Sequence, residues 1–439
     1  MKRRIAVISE HASPLAILGG VDSGGQNVYV AEISKQLAGQ YDVDVFTRKD
    51  SAEQNEIVEW EKGVRVIHIK AGPEKFVEKE RLLIYMKEFT VNMLKFIQES
   101  DLKYDIVHAN FFMSALVASE IKHALSIPYV VTFHALGYVR RAYQKENDKF
   151  PPERCSLEKF IIKDANHIIA ECPQDKDDLI HYYDADPSRI TIIPCGFNPS
   201  EFHCINKSEA RTALGLKEDE FILLQLGRMV PRKGVDNVVM ALSHLKDNAN
   251  IKLLVVGGES EEPDPLLTPE INRLYNLAKE TGVENKVTFT GKRSRKVLKY
   301  YYSAADVFIT TPWYEPFGIT PLEAMACGTP VIGSNVGGIK YSVSDGRTGF
   351  LVPPKDPVAL AEKIDQLAGN RSILDMMKSN AIKHVNRLFT WRKITNTIRE
   401  LFEKTIRLYN SSPSDKKIIS LRKPVMALDN IHEIASLAG

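Results

Sequence analysis

Short apolar runs alternate along this chain with longer stretches in which apolar positions recur at helical spacing. Ile5-Ala6-Val7-Ile8 is the first run and predicts a strand. Gly24-Gly25 then leads into a predicted helix over residues 26–37, with Val30, Ile33 and Leu37 on one face. Residues 43–46 and 64–67 predict strands, and 106–108 a strand followed by a helix over 113–125. Residues 129–133 predict a strand that ends at His134, and 167–170 and 190–193 complete the set. Repeats of strand and helix in this order build a parallel sheet covered by helices on both faces.

The pattern then restarts. Residues 221–226 predict a buried strand followed by Gly227-Arg228 and Pro231-Arg232-Lys233-Gly234, and strands are predicted at 253–256, 287–290, 307–310 and 331–334. The turn-rich break Pro194-Cys195-Gly196-Phe197-Asn198-Pro199 separates the halves. The expected organisation is α/β: two Rossmann-like doubly wound domains, 1–197 and 198–388, a C-terminal helix over 389–410 packing back toward the first domain, and a linker and tail over 411–439. Such domains are expected to turn the carboxyl ends of their strands toward a shared cleft.

Composition narrows the function. The formal net charge of the 439-residue chain is +2 and the charges are interspersed, which argues against nucleic acid as a partner. The longest apolar runs fall short of a membrane span, so stable membrane insertion is not expected. The opening MKRRIAVISE reads as a first strand with basic residues at its start, not as a leader peptide. The five cysteines show neither metal-ligand spacing nor C-x-x-C, which points to reduced thiols and a cytoplasmic protein. The expected partners are small molecules and, at most, a second copy of the chain.

Candidate chemistry concentrates in Thr311–Pro330, TPWYEPFGITPLEAMACGTP. Thr320 reads as an N-cap, Pro321 as the first helical residue, Glu323 as the partner in a capping box, and Gly328 as the stop. Glu323 therefore has a local explanation, whereas Glu315, between an aromatic and a proline just past a strand end, has none. A turn at Gly318 feeding a helix start is a seat for phosphate, and flanking carboxylates can accept hydroxyls; a sugar nucleotide needs both. Arg228 and Lys233, past another strand end, are either a solvated loop or cations that quench a departing diphosphate. Gly24-Gly25 is either a simple helix start or a close approach to a ligand. His134 is either a satisfied structural histidine or a site residue. Asp42-Val43-Asp44 spells D-x-D but leads into a strand, so no metal is assigned to it.

The segments SGGQNVYV, FHALG, LGRMVPRKG and EPFGITPLEAMACGTPVI, in that order, carry a resemblance over nearly the whole chain. It resembles the retaining GT-B glycosyltransferases with a Glu-x7-Glu motif, here Glu315 and Glu323, and within them the sucrose-phosphate synthase and inositol-phosphate glycosyltransferase types. The resemblance implies that Glu323 holds ribose hydroxyls and Glu315 the donor sugar. Backbone N–H groups near Gly318, Ile319 and Thr320 would hold phosphate, and the turn containing Arg293 would meet the nucleobase. Arg228 and Lys233 would offset leaving-group charge, and Gly24 and Gly25 would touch donor phosphate. His134 would lie against the donor sugar without abstracting a proton.

The same resemblance implies hexosyl transfer with retained configuration, a nucleoside-diphosphate sugar as donor and no required metal or cofactor. On the acceptor side it implies Gln26, Phe111, Lys79 and Arg154, the last two as phosphate-binding cations, with Arg140, Arg141 and Lys145 adding basic character. The chain departs from inositol-phosphate relatives at Phe111, where they carry Tyr, and at Ala135, where many carry Ser or Thr. Two alternatives stand beside this expectation: a transferase of lipid-linked or cell-surface glycan synthesis, and a non-catalytic nucleotide-sugar binding protein.

Overall fold

The structure is a computed structural model and describes residues 2–16, 24–245, 248 and 250–411. The chain divides into two compact units. One comprises residues 1–16, 26–194 and 394–439, the other 17–25 and 195–393.

The first unit is built on β1 (Arg3–Ile8), β2 (Tyr41–Arg48), β3 (Ile57–Glu61), β4 (Val64–Ile69), β5 (Ile106–Asn110), β6 (Tyr129–Thr132), β7 (His167–Ala170) and β8 (Ile190–Ile192). Their order in the sheet is β3-β4-β2-β1-β5-β6-β7-β8. Every pair is parallel except β3 with β4. The apolar runs of β1, β5 and β6 are buried on both faces, which is why they lack alternation. β3 is the strand of this unit missed from the sequence. Its residues alternate between exposed and half-buried, and Gly63 (φ +82°) turns the chain straight back into β4 as a hairpin. It also forms the sheet edge, where burial leaves little imprint on sequence.

The helix Trp391–Ser411 contributes to this unit from Ile394 onward. Ile394, Ile398, Leu401, Phe402 and Ile406 are buried at helical spacing. Tyr41 donates its hydroxyl to Glu403 Oε1 at 2.6 Å, Arg3 pairs with the same carboxylate, and the Phe402 ring lies edge-on to His108. The Asp42-Val43-Asp44 segment is structural: Asp44 is buried against Arg65, Arg4 and Tyr104, whose hydroxyl donates to it at 2.6 Å. The linker and tail expected over 411–439 lie, from residue 412 on, outside the described residues.

The second unit carries β9 (Phe221–Leu226), β10 (Ile251–Val256), β11 (Val287–Gly291), β12 (Val307–Thr310), β13 (Val331–Ser334) and β14 (Gly349–Val352). They form an all-parallel sheet in the order β11-β10-β9-β12-β13-β14. At the carboxyl ends, glycines let neighbouring loops touch backbone to backbone. A Cβ on Gly257 would sit 2.1 Å from Gly227 O, and one on Gly234 (φ +68°) 2.0 Å from Thr311 O.

Candidate active site

In the second unit the loops after β9 and β12 converge. Pro231–Lys233 forms one 3-10 turn ended by Gly234 in the left-handed region, and Trp313 N–H donates to Arg232 O at 2.9 Å. This brings Lys233 Nζ onto Glu315 Oε2, with Arg232 Nη1 at 3.8 Å from the same oxygen. Arg232 also lies over the Tyr314 ring. Burial pushes the Lys233 ammonium down to about 8; Glu315 resists that shift, while Arg232 and Arg228 add to it. Burial works to raise Glu315, but Lys233, Arg232 and Arg228 overcome it and hold the carboxyl below its ordinary range. Three cations thus act on one half-buried carboxylate at the strand ends, an arrangement with positive charge to spare for an anion.

The stretch following Glu315 is held by close backbone packing. Gly318 adopts φ +91° beside Glu315 Cγ. Gly338 N–H donates to Glu315 O at 3.3 Å, and a Cβ on Gly337 (φ +45°) would lie 1.9 Å from that oxygen. The helix Thr320–Ala326 begins after Ile319, and neither Ile319 nor Thr320 caps it with a side chain. The capping-box expectation is therefore corrected. Glu323 instead points across the unit, accepting from Arg295 Nη1 at 2.8 Å and Tyr302 Oη at 3.0 Å. Arg295 is itself held by Glu201 at 2.7 Å and lies over Phe202. A buried guanidinium outcompetes a backbone N–H for a carboxylate, because both charges are desolvated there. The helix has 7 residues, so its dipole is small and side chains carry most of the local field.

Arg293 lies at the end of β11, where Gly291 takes φ +75°. Its guanidinium donates to Glu261 O at 2.6 Å and to Tyr301 Oη at 2.9 Å, so the side chain secures the loop.

In the first unit the neighbours β1, β5, β6 and β7 end together. Asn110 closes β5, His134 follows β6 and Glu171 follows β7. His134 has φ +57°; its Nδ1 faces Glu171 Oε1 and its Nε2 faces Asn110 Oδ1, each at 3.1 Å. Gln26 donates from Nε2 to Ser9 Oγ and Asn110 O, both at 3.2 Å, beside Gly24 and Gly25 at the start of the helix Gly25–Leu37.

Three of the basic side chains singled out on the acceptor side, Lys79, Arg140 and Arg154, form one chain of contacts. Lys79 Nζ lies 3.7 Å and Arg140 Nη2 3.3 Å from Glu80 Oε1. Arg140 and Arg154 both sit over the Phe150 ring, at 4.9 and 4.4 Å. Arg154 is fully buried: it donates to Glu158 at 2.8 Å and to Ala135 O, and lies over Phe111 and Phe112. Only its Nη1 has no hydrogen-bond partner. Phe111, at φ +87°, is buried between His11, Phe112 and Phe150. Arg141 donates to Pro151 O at 2.9 Å, and Lys145 is exposed.

Sequence reasoning missed Arg232, Arg295, Tyr302, Asn110, Glu171 and the Gly337-Gly338 pair. Glu171 had a usable signal, an acidic residue one step past a predicted strand end, the same argument that singled out Glu315. Among the described residues no group of three or more His, Cys, Asp or Glu side chains could hold a metal ion. Among them, too, no helix is long and apolar enough to cross a membrane.

Comparison with known proteins defines the class. The family "Glycosyl transferases group 1" matches residues 206–384, and "Glycosyltransferase Family 4" matches residues 23–201. The chain is 33% identical over 413 residues to the D-inositol 3-phosphate glycosyltransferase of Corynebacterium glutamicum, spanning 92% of this chain and 97% of that one. It is 34% identical to the enzyme of the same name from Streptomyces bingchenggensis, over 93% of this chain and 90% of that one. Among solved structures, sucrose-phosphate synthase from Thermosynechococcus elongatus matches with a TM-score of 0.85 at 32% identity, covering 93% of this chain and all of that one (100%). Anabaena HepE, solved with UDP and glucose, shares the fold with a TM-score of 0.71 at 21% identity, over 91% of this chain and 99% of that one. The fold is GT-B, two Rossmann-like parallel-sheet units. The chain belongs to the glycosyltransferase family of the inositol-phosphate and sucrose-phosphate enzymes.

Proposed function

We propose that this protein is a retaining glycosyltransferase that moves a hexose from a nucleoside-diphosphate sugar to a small, phosphorylated hydroxyl acceptor. The observation that carries the reading is the Lys233–Glu315 pair at the ends of β9 and β12, with Arg232 and Arg228 in the same field. As the glycosidic bond of the donor breaks, negative charge grows on the diphosphate, and fixed cations stabilise it. The acceptor hydroxyl attacks from the face the diphosphate leaves, and a diphosphate oxygen takes its proton. Protein groups then act by position and by charge. Glu315 orients the donor hexose, Glu323 takes the ribose hydroxyls through its remaining lone pairs, and backbone N–H groups of Gly318, Ile319 and Thr320 assist the diphosphate. Lys79 and Arg140, half-buried on Glu80, are the cations offered to an acceptor phosphate, with Arg154 behind them. The similarity to an inositol 3-phosphate glycosyltransferase and to sucrose-phosphate synthase supports a phosphorylated acceptor.

The direct test is transfer by the purified protein with a panel of sugar nucleotides and of sugar and inositol phosphates. Turnover with a phosphorylated acceptor, undiminished by chelator, is expected. Hydrolysis alone with every acceptor offered would remove the transferase reading. The same assay with dephosphorylated acceptors and with lipid-linked ones separates the small-acceptor reading from the glycan one.

Two further results are expected. Lys233 is charged below about 8 and loses its proton above it. The loss of kcat/KM should therefore fall on the alkaline side, with a midpoint near that value, since this parameter reports groups of the free enzyme. A profile flat to pH 10 would separate Lys233 from the reaction. Glu323→Gln places an amide N–H against Arg295 or Tyr302, both of which donate to the native carboxylate. About tenfold higher donor KM with kcat within about threefold is expected, the signature of lost uniform binding. Steady-state kinetics with the donor varied checks it.

A further inference from the structure

The imidazole of His134 is held from both sides by the strands that flank its own. β6 lies between β5 and β7 in the sheet, and the ends of those two strands supply both ring partners. Asn110, the last residue of β5, is fully buried; its Nδ2 faces Ile8 O at 3.4 Å and His108 O at 3.3 Å, which leaves Oδ1 for His134 Nε2. Glu171, one residue past β7, is 3% exposed and presents Oε1 to Nδ1. The Tyr29 ring, from the helix Gly25–Leu37, packs edge-on to the imidazole at 4.8 Å. His134 also occupies the left-handed backbone region, which a β-carbon disfavours, so its placement is imposed by its surroundings.

A carboxylate is an expensive way to satisfy one buried ring nitrogen. A backbone carbonyl or hydroxyl does the same without burying a charge. In the same region His108 meets its Nε2 in that cheaper way, with Thr132 Oγ1 at 2.9 Å, whereas His11 pairs its Nδ1 with Glu10 Oε1 at 2.7 Å. Glu171 is moreover accompanied by a second acid. Its own N–H donates to Asp175 Oδ2 at 2.9 Å, and burial together with the Glu171 charge pushes the Asp175 carboxyl up to about 8.

From this geometry we propose that Glu171 is a positioning residue for the transfer reaction: it takes the Nδ1–H of His134 and, with Asn110 Oδ1 facing Nε2, fixes the orientation of that ring at the donor hexose. The proposal rests on the reading that His134 lies against the donor sugar. Acceptor oxygens on both ring nitrogens hold the imidazole to the protein and oppose its rotation about the side chain. The benefit is realised when the hexose must be held along the reaction path, so it appears in kcat more than in binding.

The test combines a spectroscopic and a kinetic reading on the full chain. With ¹⁵N-labelled histidine, the His134 signal, assigned by its absence in His134→Ala, is expected to show a proton on Nδ1. In Glu171→Ala the signal should move toward the Nε2–H tautomer. Kinetically, Glu171→Ala is expected to lower kcat about 100-fold with donor KM within about threefold, and Glu171→Gln, whose amide oxygen still accepts the N–H, to recover about tenfold of that loss. Nδ1 without a proton in the unaltered protein overturns the proposal, whether or not either variant folds. So does a Glu171→Ala enzyme that keeps kcat within twofold while His134→Ala loses it. A fully active His134→Ala enzyme instead overturns the underlying reading of the site.

Discussion

Lys233→Ala is expected to lower kcat by about 10²–10³-fold, the usual effect of deleting one preorganised charge donor from a water-poor site. Lys233 closes the 3-10 turn after β9 and rests on Glu315, with Arg232 and Arg228 nearby. The ammonium has two roles there. It supplies charge toward a leaving diphosphate, and it leads the cations that hold the Glu315 carboxyl ionised against the effect of burial. Its removal therefore also raises the proton affinity of Glu315. The surviving activity should gain an acid limb at higher pH than the native enzyme shows. Arg232 and Arg228 remain, so donor binding should weaken less than turnover. Single-turnover and steady-state kinetics on the same variant separate the two effects. Unchanged kcat would leave the Lys233–Glu315 pair as a structural ion pair only.

Gly337→Ala should damage the same site without touching a charged group. At φ +45° a β-carbon is disfavoured, and here it would meet the Glu315 carbonyl oxygen at 1.9 Å. Neither partner is the free end of a side chain, so the backbone must move. A cost of about 3 kcal/mol is expected, which lowers Tm by about 6–12 °C for a unit of this size. The shift also drags Glu315 away from Lys233, and about 100-fold lower kcat is expected in the variant that remains folded at 25 °C. Ser344→Ala, after the same short helix Gly337–Ser342 but away from Glu315, serves as the control that should leave kcat unchanged. Calorimetry together with kinetics checks both parts. A stable and fully active Gly337→Ala enzyme would mean that the Glu315 loop does not depend on this close packing.

The parts of this protein legible in its sequence are those determined by neighbours along the chain. Parallel strands buried on both faces read as continuous apolar runs, so β1, β5, β6, β9, β12 and β13 stood out. The edge strand β3 did not, because half of its surface faces water and its alternation is weak. Lys233 and Glu315 could each be marked by position past a strand end, yet they are 82 residues apart, and their pairing belongs to the sheet order β9-β12. Glu323 shows the limit most clearly. Its spacing from Thr320 described a capping box, but Arg295, 28 residues earlier, takes the carboxylate. A local signature weighs only the partners within one turn of chain. Which partner wins is decided by desolvation and by charges that folding brings from elsewhere. The sequence by itself determined the two α/β units, the strand positions other than β3 and β14, and the strand-end residues from which a transferase site can be built. Only the tertiary structure decided that Lys233 faces Glu315, that Arg295 and Tyr302 face Glu323, and that Glu171 and Asn110 face His134. Those contacts follow from strand order and long-range packing, neither of which is encoded in spacing along the chain.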